Sequence, residues 1–324
     1  MSTRVVLAAT AAALLATTFD AQVAKSAPHR IRMPWVLVGD PGNPSDVWGP
    51  GKVNHVYLIG RHEVTNEQYA TFLNAKAALG DPLELFSVSM ATDPRGGIVR
   101  VGSGTVSDPF LHVPRPFSSD KPVSFVSWFD ALRFVNWMHN GTGEGDTESG
   151  AYTLLGGTPI PSNGDSIARN PGAGVVLPSE NEWFKAAYYD PSAFGGAGAY
   201  WLYAAQTSAT PTPALATVFG GVANPGSNVA NYNGFASWGG LSGNLTTVGS
   251  AGPLSRSYYG CADMNGNVSE WSETFFTWSG TLYRINRGGT WELDETIMDK
   301  DSWAITVPYL ELDGIGFRVA RVLP

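Results

Sequence analysis

The chain has 324 residues, a formal net charge of −8 and a sequence pI of ≈ 5.1. Because so acidic a protein repels polyanions, the charge argues against nucleic acid or an anionic membrane surface as partner. Only 15% of the residues are charged, and Gly 38 and Pro 22 indicate many turns and short elements rather than long helices.

The N-terminus resembles an export signal. Arg4 supplies positive charge, residues 5–19 are apolar or small, and Ala and Ser positions follow. This pattern predicts a signal peptide over residues 1–27, although no clean cleavage site stands out. The apolar run is too short for a membrane span. We therefore expect an exported protein, periplasmic or extracellular, with no span in the mature chain and a single domain over residues 33–324. A disordered apolar tail is the alternative.

The first predicted elements are strands over residues 33–39 and 53–64, separated by a loop rich in Gly, Pro, Asn and Asp. A helix is predicted to follow. Thr65 at the N-cap and Gln68 three residues later fit a capping box, and apolar residues then recur at helical spacing.

Two further helices are predicted after a small hairpin arm over residues 94–101. Ser127 caps the second, over residues 128–139, and Asn140-Gly141 closes it. Ser179 caps the third, with a glutamate at the N3 position.

The remainder is predicted to be loops and strands. Residues 191–255 contain no Asp, Glu, Lys, Arg or His but several aromatic residues, which favours long ordered loops over the core. Strands are predicted over residues 282–291 and 314–322. No fixed-period repeat and no linker divides the chain.

Cys261 is the only cysteine. One cysteine permits no disulfide within the chain and no thiolate-rich metal site. Its small neighbours Gly260 and Ala262 favour burial as a small apolar side chain, and an intermolecular cross-link is the alternative.

Six blocks in the sequence, taken together and in this order, carry a family resemblance. The blocks are Glu63-Val-Thr-Asn-Glu-Gln-Tyr69, Pro122-Val-Ser-Phe-Val-Ser-Trp128, Leu177-Pro-Ser-Glu-Asn-Glu-Trp183, Gly266-Asn-Val-Ser-Glu-Trp271, Arg287-Gly-Gly-Thr-Trp291 and Gly316-Phe-Arg318. The chain thereby resembles the formylglycine-generating enzyme family, also called the sulfatase-modifying factor domain, and more narrowly its exported bacterial branch. The resemblance implies an α+β, C-type-lectin-like fold with short strands, three main helices and long irregular loops.

A calcium site is predicted around a Gly-Asn turn. Asp263, Gly266, Val268 and Glu270 are spaced so that two carboxylates and two backbone carbonyls can supply the oxygen ligands that calcium prefers. The family resemblance implies calcium at the same four positions. The alternative is that Asp263 and Glu270 only accept hydrogen bonds from backbone amides.

The resemblance also implies a second calcium site. Its ligands would be Asn231, the carbonyl of Tyr232 and Asn244. No carboxylate lies in this set, so the predicted site is weak.

The copper chemistry of the resembled family is not expected. Those enzymes bind copper(I) through two cysteines that follow the Gly-Gly block. Here residues 292–298 contain no cysteine, and Cys261 does not match. We therefore predict no copper and no catalytic residues. The iron-dependent sulfoxide synthases of the superfamily use histidines of a separate helical domain, which this sequence does not contain.

The resulting hypothesis is a calcium-stabilised, non-catalytic module that binds a ligand or partner, such as a glycan or a cell-surface protein. The candidate pocket residues are Trp291, Glu292, Asp294 and Arg318. One alternative is an enzyme of the superfamily with an unassigned mechanism, in which the carboxylates Glu292, Asp294 and Glu295 act in acid–base or metal chemistry. A solvated acidic loop is the simpler interpretation of those carboxylates. A third hypothesis is a structural role at the cell surface.

Overall fold

The computed structural model describes residues 31–47 and 49–323. The predicted signal peptide, residues 1–27, lies outside this part of the chain. Two four-stranded sheets frame the described residues. The strands are β1 (Trp35–Val38), β2 (Tyr57–Gly60), β3 (Ile98–Val101), β4 (Leu111–Pro114), β5 (Val175–Val176), β6 (Tyr189–Asp190), β7 (Ala199–Tyr200), β8 (Thr212–Pro213), β9 (Val229–Ala230), β10 (Ser269–Trp278), β11 (Thr281–Arg287), β12 (Ala304–Thr306), β13 (Ile315–Gly316) and β14 (Ala320–Val322).

The last residues of the chain contribute one strand to each of the two sheets. The first has the order β1-β2-β14-β5 and its pairs are antiparallel. The second has the order β12-β11-β10-β13, and only its β10–β13 pair is parallel. Because β13 and β14 belong to different sheets, the segment between them, residues 317–319, passes from one sheet to the other. Arg318 lies in this segment.

The three helices that the capping signals predict are present, together with two short ones. The helices are α1 (Asn66–Lys76), α2 (Ser89–Thr92), α3 (Trp128–His139), α4 (Glu180–Tyr188) and the distorted turn α5 (Ala193–Gly196). Thr65, Ser127 and Ser179 each cap a helix through a complete capping box. Three short 3-10 helices are described at Gly164–Ser166, Pro253–Ser255 and Glu295–Ile297.

The core lies between α1, α3 and the strand crossing. Phe72 and Phe134 contact each other edge to face, with ring centroids 5.4 Å apart, and Phe134 meets Phe317 at 5.3 Å. Tyr69 and Trp137 complete this aromatic cluster and are fully buried. Burial of these rings supplies much of the hydrophobic stabilisation and fixes the two helices against residues 317–319.

Several predicted strands prove shorter than expected. Residues 53–64 pair only over β2, and residues 314–322 form β13 and β14 with a crossing between them. Residues 288–291 are not part of β11, since Gly288 and Gly289 have φ of 101° and 73° and turn the chain. The stretch 191–255 is ordered loop with short strands, as predicted.

In the described part of the chain, no helix has both the length and the apolar character needed to cross a membrane.

Candidate functional site

A buried ion pair lies where the two sheets meet. Arg318 Nε donates to Glu270 Oε2 at 2.5 Å, and Arg318 Nη2 donates to Glu270 Oε1 at 2.5 Å. Both side chains are 0% exposed. Such a two-pronged guanidinium–carboxylate contact fixes both the distance and the plane of its partners.

The remaining donors of Arg318 are also used. Nη1 donates to the carbonyls of Gly60 and Arg61, and Nη2 donates to that of Ala262 at 3.1 Å. Trp183 of α4 donates its indole N–H to Glu270 Oε2 at 2.6 Å. The ion pair therefore connects both sheets, helix α4 and the loop that precedes β10.

That loop, residues 263–268, is tightly turned. Asp263, Gly266 and Asn267 have positive φ values of 55°, 78° and 63°. A Cβ on Gly266 would overlap the carbonyl of Asn231, so this position requires glycine. Asp263 accepts a hydrogen bond from the backbone N–H of Gly249.

Asn267 is the centre of the hydrogen bonds around the loop. Its Oδ1 accepts from Asn231 Nδ2 at 3.1 Å and from the N–H of Thr246 at 2.9 Å. Its Nδ2 donates to Glu63 Oε1 at 3.2 Å, and its carbonyl accepts from the N–H of Trp291. One side chain thereby fixes three distant segments of the chain to the loop.

Glu63 lies beside this loop and is buried, with 1% exposure. Its Oε2 has no hydrogen-bond partner. Burial raises the pKa of Glu63 well above its usual value, and the nearby carboxylates Asp263 and Glu270 raise it further. Burial likewise raises the pKa of Asp263 to about 6. Burial and the repulsion between neighbouring carboxylates therefore both disfavour a negative charge on Glu63, while Arg318 acts in the opposite direction.

A surface cavity of ≈ 290 Å³ lies beside the Gly-Gly turn. Its wall combines two carboxylates, hydroxyl groups and apolar side chains, and we call it the acidic pocket. The residues that define it are Thr290, Glu292, Leu293, Ile297, Thr306 and Asp313.

Comparison with known proteins identifies the family. A sequence model of the sulfatase-modifying factor enzyme 1-like domain matches residues 50–323. The chain belongs to the sulfatase-modifying factor family. A comparison with curated proteins finds no matching relative.

Solved structures show the same fold as this sulfatase-modifying factor domain. Treponema denticola variable protein 1 is 18% identical and superposes with a TM-score of 0.55 over 90% of this chain and 96% of that one. CarF is 22% identical, with a TM-score of 0.52 over 90% of this chain and 99% of that one. At such low identity the likeness establishes the fold alone, which confirms the predicted fold class.

The first set of predicted calcium ligands does not converge on an open cation site. Oε2 of Glu270 accepts from both Arg318 and Trp183, and Oε1 accepts from Arg318. A carboxylate oxygen has about two acceptor positions, so two-oxygen binding of calcium by Glu270 would require Arg318 to leave. Across the described residues, no cluster of three or more His, Cys, Asp or Glu side chains is arranged to hold a metal. With Arg318 in place, Glu270 keeps one acceptor position, on Oε1, so a calcium ion would have a single Glu270 oxygen to bind beside the positive charge of Arg318.

The second set offers one free side-chain oxygen. Asn231 Oδ1 is buried and has no hydrogen-bond partner, whereas Asn231 Nδ2 donates to the carbonyl of Asn244 at 2.9 Å. Asn244 Oδ1 accepts from the N–H of Leu245. Tyr232 packs in a small buried cluster nearby. With one unpartnered side-chain oxygen and no carboxylate, this set would hold calcium only weakly.

The candidate pocket residues fall in different places. Glu292 lines the acidic pocket. Asp294 caps the short 3-10 helix that follows it, and Arg318 lies in the core. Trp291 is 5% exposed and packs against Leu245 and Val268 rather than lining the cavity. The sequence patterns did not indicate the roles of Asn267 and Glu63, although both residues lie in blocks that carry the family resemblance.

We predict that removing one member of the ion pair strongly destabilises the fold. Glu270→Gln or Arg318→Met leaves a buried partner without its counter-charge, which should lower the free energy of unfolding by about 3–5 kcal/mol. The double variant should lose clearly less than the sum of the two single losses. Denaturant unfolding of the four proteins measures this, and strictly additive losses would contradict the pairing.

We predict that His62 makes the protein acid-sensitive. Burial, and then the neighbouring arginines Arg318, Arg61 and Arg256, lower the pKa of His62 to about 4. The folded state therefore resists protonation. Stability that is complete above pH ~6.5 is lost as the pH falls toward 4, by roughly 1–3 kcal/mol. His62→Gln should show a smaller loss than the parent between pH 7 and 4.5, in parallel denaturant titrations. An identical loss in both proteins would show that His62 is not responsible.

We predict that calcium leaves the melting temperature within about 1 °C of its value with chelator, since only ligands that bind the native state raise stability and Arg318 already pairs with the carboxylate of Glu270. Differential scanning calorimetry with a chelator and with millimolar calcium tests this. A chelator-sensitive melt that Asp263→Ala abolishes would establish the calcium site that the sequence predicts.

Proposed function

We propose that this sulfatase-modifying factor domain is exported and non-catalytic, and that it binds a ligand or partner through the acidic pocket. The N-terminal sequence pattern supports export. The remaining support comes from the chemistry of the pocket wall, taken together with the position of the only thiol.

The environment of the single cysteine does not favour redox chemistry. Cys261 is 0% exposed, and burial raises the pKa of its thiol to about 11. A thiol that stays protonated and buried is a poor nucleophile and a poor metal ligand. It does not line the acidic pocket, where the apolar Leu293 and Ile297 are found instead.

The observation that carries the proposal is the composition of the pocket wall. Glu292 and Asp313 are its charged groups, the hydroxyls of Thr290 and Thr306 can bind polar groups, and no thiol, imidazole or basic side chain stands among its lining residues. Few polar groups on an otherwise apolar wall are typical of binding pockets. Two carboxylates favour a ligand that carries an ammonium or guanidinium group. Such a group could be a Lys or Arg side chain of a surface protein or an amino sugar of a glycan.

Binding and turnover can be measured on the same protein. We expect a lysine-bearing peptide or a glucosamine oligomer to bind at least about tenfold more tightly than its N-acetylated counterpart, because acetylation removes the charge. Glu292→Gln with Asp313→Asn should abolish this preference. Glu295→Gln is the matched control, since Glu295 lies in the same loop outside the pocket wall. Isothermal titration calorimetry gives the affinities, and its peptide and sugar arms distinguish the two sources of the charge.

For turnover, we expect no oxygen consumption and no aldehyde when a cysteine peptide is supplied with copper(I). Aldehyde formation above the rate of a buffer control would overturn the non-catalytic assignment. Equal binding of the charged and acetylated probes would overturn the assignment of the pocket.

A further inference from the structure

A second pocket, of ≈ 310 Å³, lies near Trp291, because Arg95 of its wall packs over that indole. We call it the basic pocket. Its wall carries three cationic side chains and no acidic one. The residues of the wall include Arg95, Arg115, Lys121, Phe117, Trp238 and Asn244. Three cations together without an acid stand out in a chain of net charge −8.

The three cations are held in place by neutral groups. Arg95 donates to the carbonyls of Gly243 and Ser242, both at 3.1 Å, and its guanidinium lies 4.1 Å from the ring centre of Trp291. Arg115 donates to the carbonyls of Asp93, Pro94 and Ala91.

Lys121 is held in the same way. Its Nζ donates to Thr247 Oγ1 at 2.6 Å and to the carbonyl of Phe219 at 3.1 Å, and it lies 4.9 Å from the ring centre of Trp238. The residue is 3% exposed.

None of these three side chains lies within ion-pair distance of a carboxylate in the described part of the chain, whereas other buried arginines such as Arg133, Arg287 and Arg318 do. Carbonyl contacts position the positive charges without neutralising them. A partly buried charge that keeps its full value is an attractive site for a counter-charge, because the surrounding low dielectric strengthens the interaction.

Aromatic faces adjoin the cations. Phe117 and Phe219 are 59% and 57% exposed and contact each other with ring centroids 4.8 Å apart. Phe117 and Trp238 belong to the pocket wall. Exposed aromatic rings present rigid apolar faces at low entropic cost and are common in binding surfaces. A ligand that suits this wall has an anionic group beside a ring-shaped apolar face.

We propose that the basic pocket binds an acidic saccharide, whose carboxylate or sulfate group contacts Lys121 and Arg115 while a sugar face packs on Phe117 and Trp238. This site lies outside the acidic pocket and does not depend on the function proposed for it. Its volume is near the lower end of ligand pockets, which run from about 300 Å³ upward, so one or two sugar units fill it.

The protonation of Lys121 makes anion binding in this pocket depend on pH. Burial lowers the pKa of Lys121 to about 8, and the carboxylate of Asp120 acts weakly in the opposite direction. Anion binding should therefore weaken as the pH rises through 8, by roughly tenfold between pH 7 and 9.5, when the ammonium is lost.

The test uses titration calorimetry on the full mature chain with a glucuronate-containing tetrasaccharide, a sulfated tetrasaccharide, a neutral tetrasaccharide and an oligoglutamate peptide. We expect the acidic tetrasaccharide with the higher affinity to bind at least about tenfold more tightly than the neutral tetrasaccharide. Lys121→Met and Arg115→Gln should each remove most of that preference. Arg100→Gln is the control, because Arg100 already pairs with Asp81 and does not line the pocket.

Melting temperatures show whether each variant is folded, and the pH series on the unmodified chain tests Lys121 without any substitution. Equal affinity for the acidic and neutral saccharides would overturn the proposal, as would binding that is unchanged between pH 7 and 9.5. Oligoglutamate that binds as tightly as the acidic saccharides would overturn the saccharide assignment.

Discussion

The ion pair between Glu270 and Arg318 is the contact on which the arrangement of the chain depends. Burying two charges is costly, and such pairs often add little net stability relative to a well-packed apolar pair. Their value lies in geometry. The bonded N–H groups of Arg318 find acceptors only when β2, the loop before β10 and β10 itself meet at one point. We interpret the pair as the feature that selects this crossing of the two sheets over other compact arrangements.

The loop before β10 extends this order to more distant segments of the chain. Because Arg318 fixes the carbonyl of Ala262, residues 263–268 begin at a defined point and turn through three positive φ values. Asn267 then ties the uncharged stretch 191–255 to the core through Asn231 and Thr246. A stretch with no charged side chain has no ion pair of its own with which to fix its position. Buried amide hydrogen bonds take that role, and each would be costly to leave unmade.

The sequence predicted local features well and non-local ones poorly. The three capping boxes are contained within four residues each, so Thr65, Ser127 and Ser179 were sufficient to place α1, α3 and α4. Strand length depends on pairing with distant segments, and residues 53–64 accordingly pair over only four positions. Glu63 and Asn267 are 204 positions apart, and nothing near either residue indicates that they meet. Glu270 was singled out for a cation, and the fold places a guanidinium against it. The sequence thus indicates a positive partner for Glu270, whereas Arg318, 48 positions away, is identified only by the fold.

The Trp291 segment contacts residues of two pockets of opposite charge. Thr290 and Glu292 face the acidic pocket, while the indole of Trp291 lies under the guanidinium of Arg95 in the wall of the basic pocket. The cation–π contact holds the guanidinium of Arg95 over Trp291, the residue that precedes Glu292, and Arg95 forms no ion pair with Glu292 or Asp313. Had Arg95 formed an ion pair with Glu292, both pockets would have lost charge. Arg95 is fixed only by neutral groups, namely two carbonyls and one aromatic face. The positive potential of the basic pocket and the negative potential of the acidic pocket therefore do not cancel. Local separation of charge of this kind, more than the net charge of the chain, determines which ligands each face can attract.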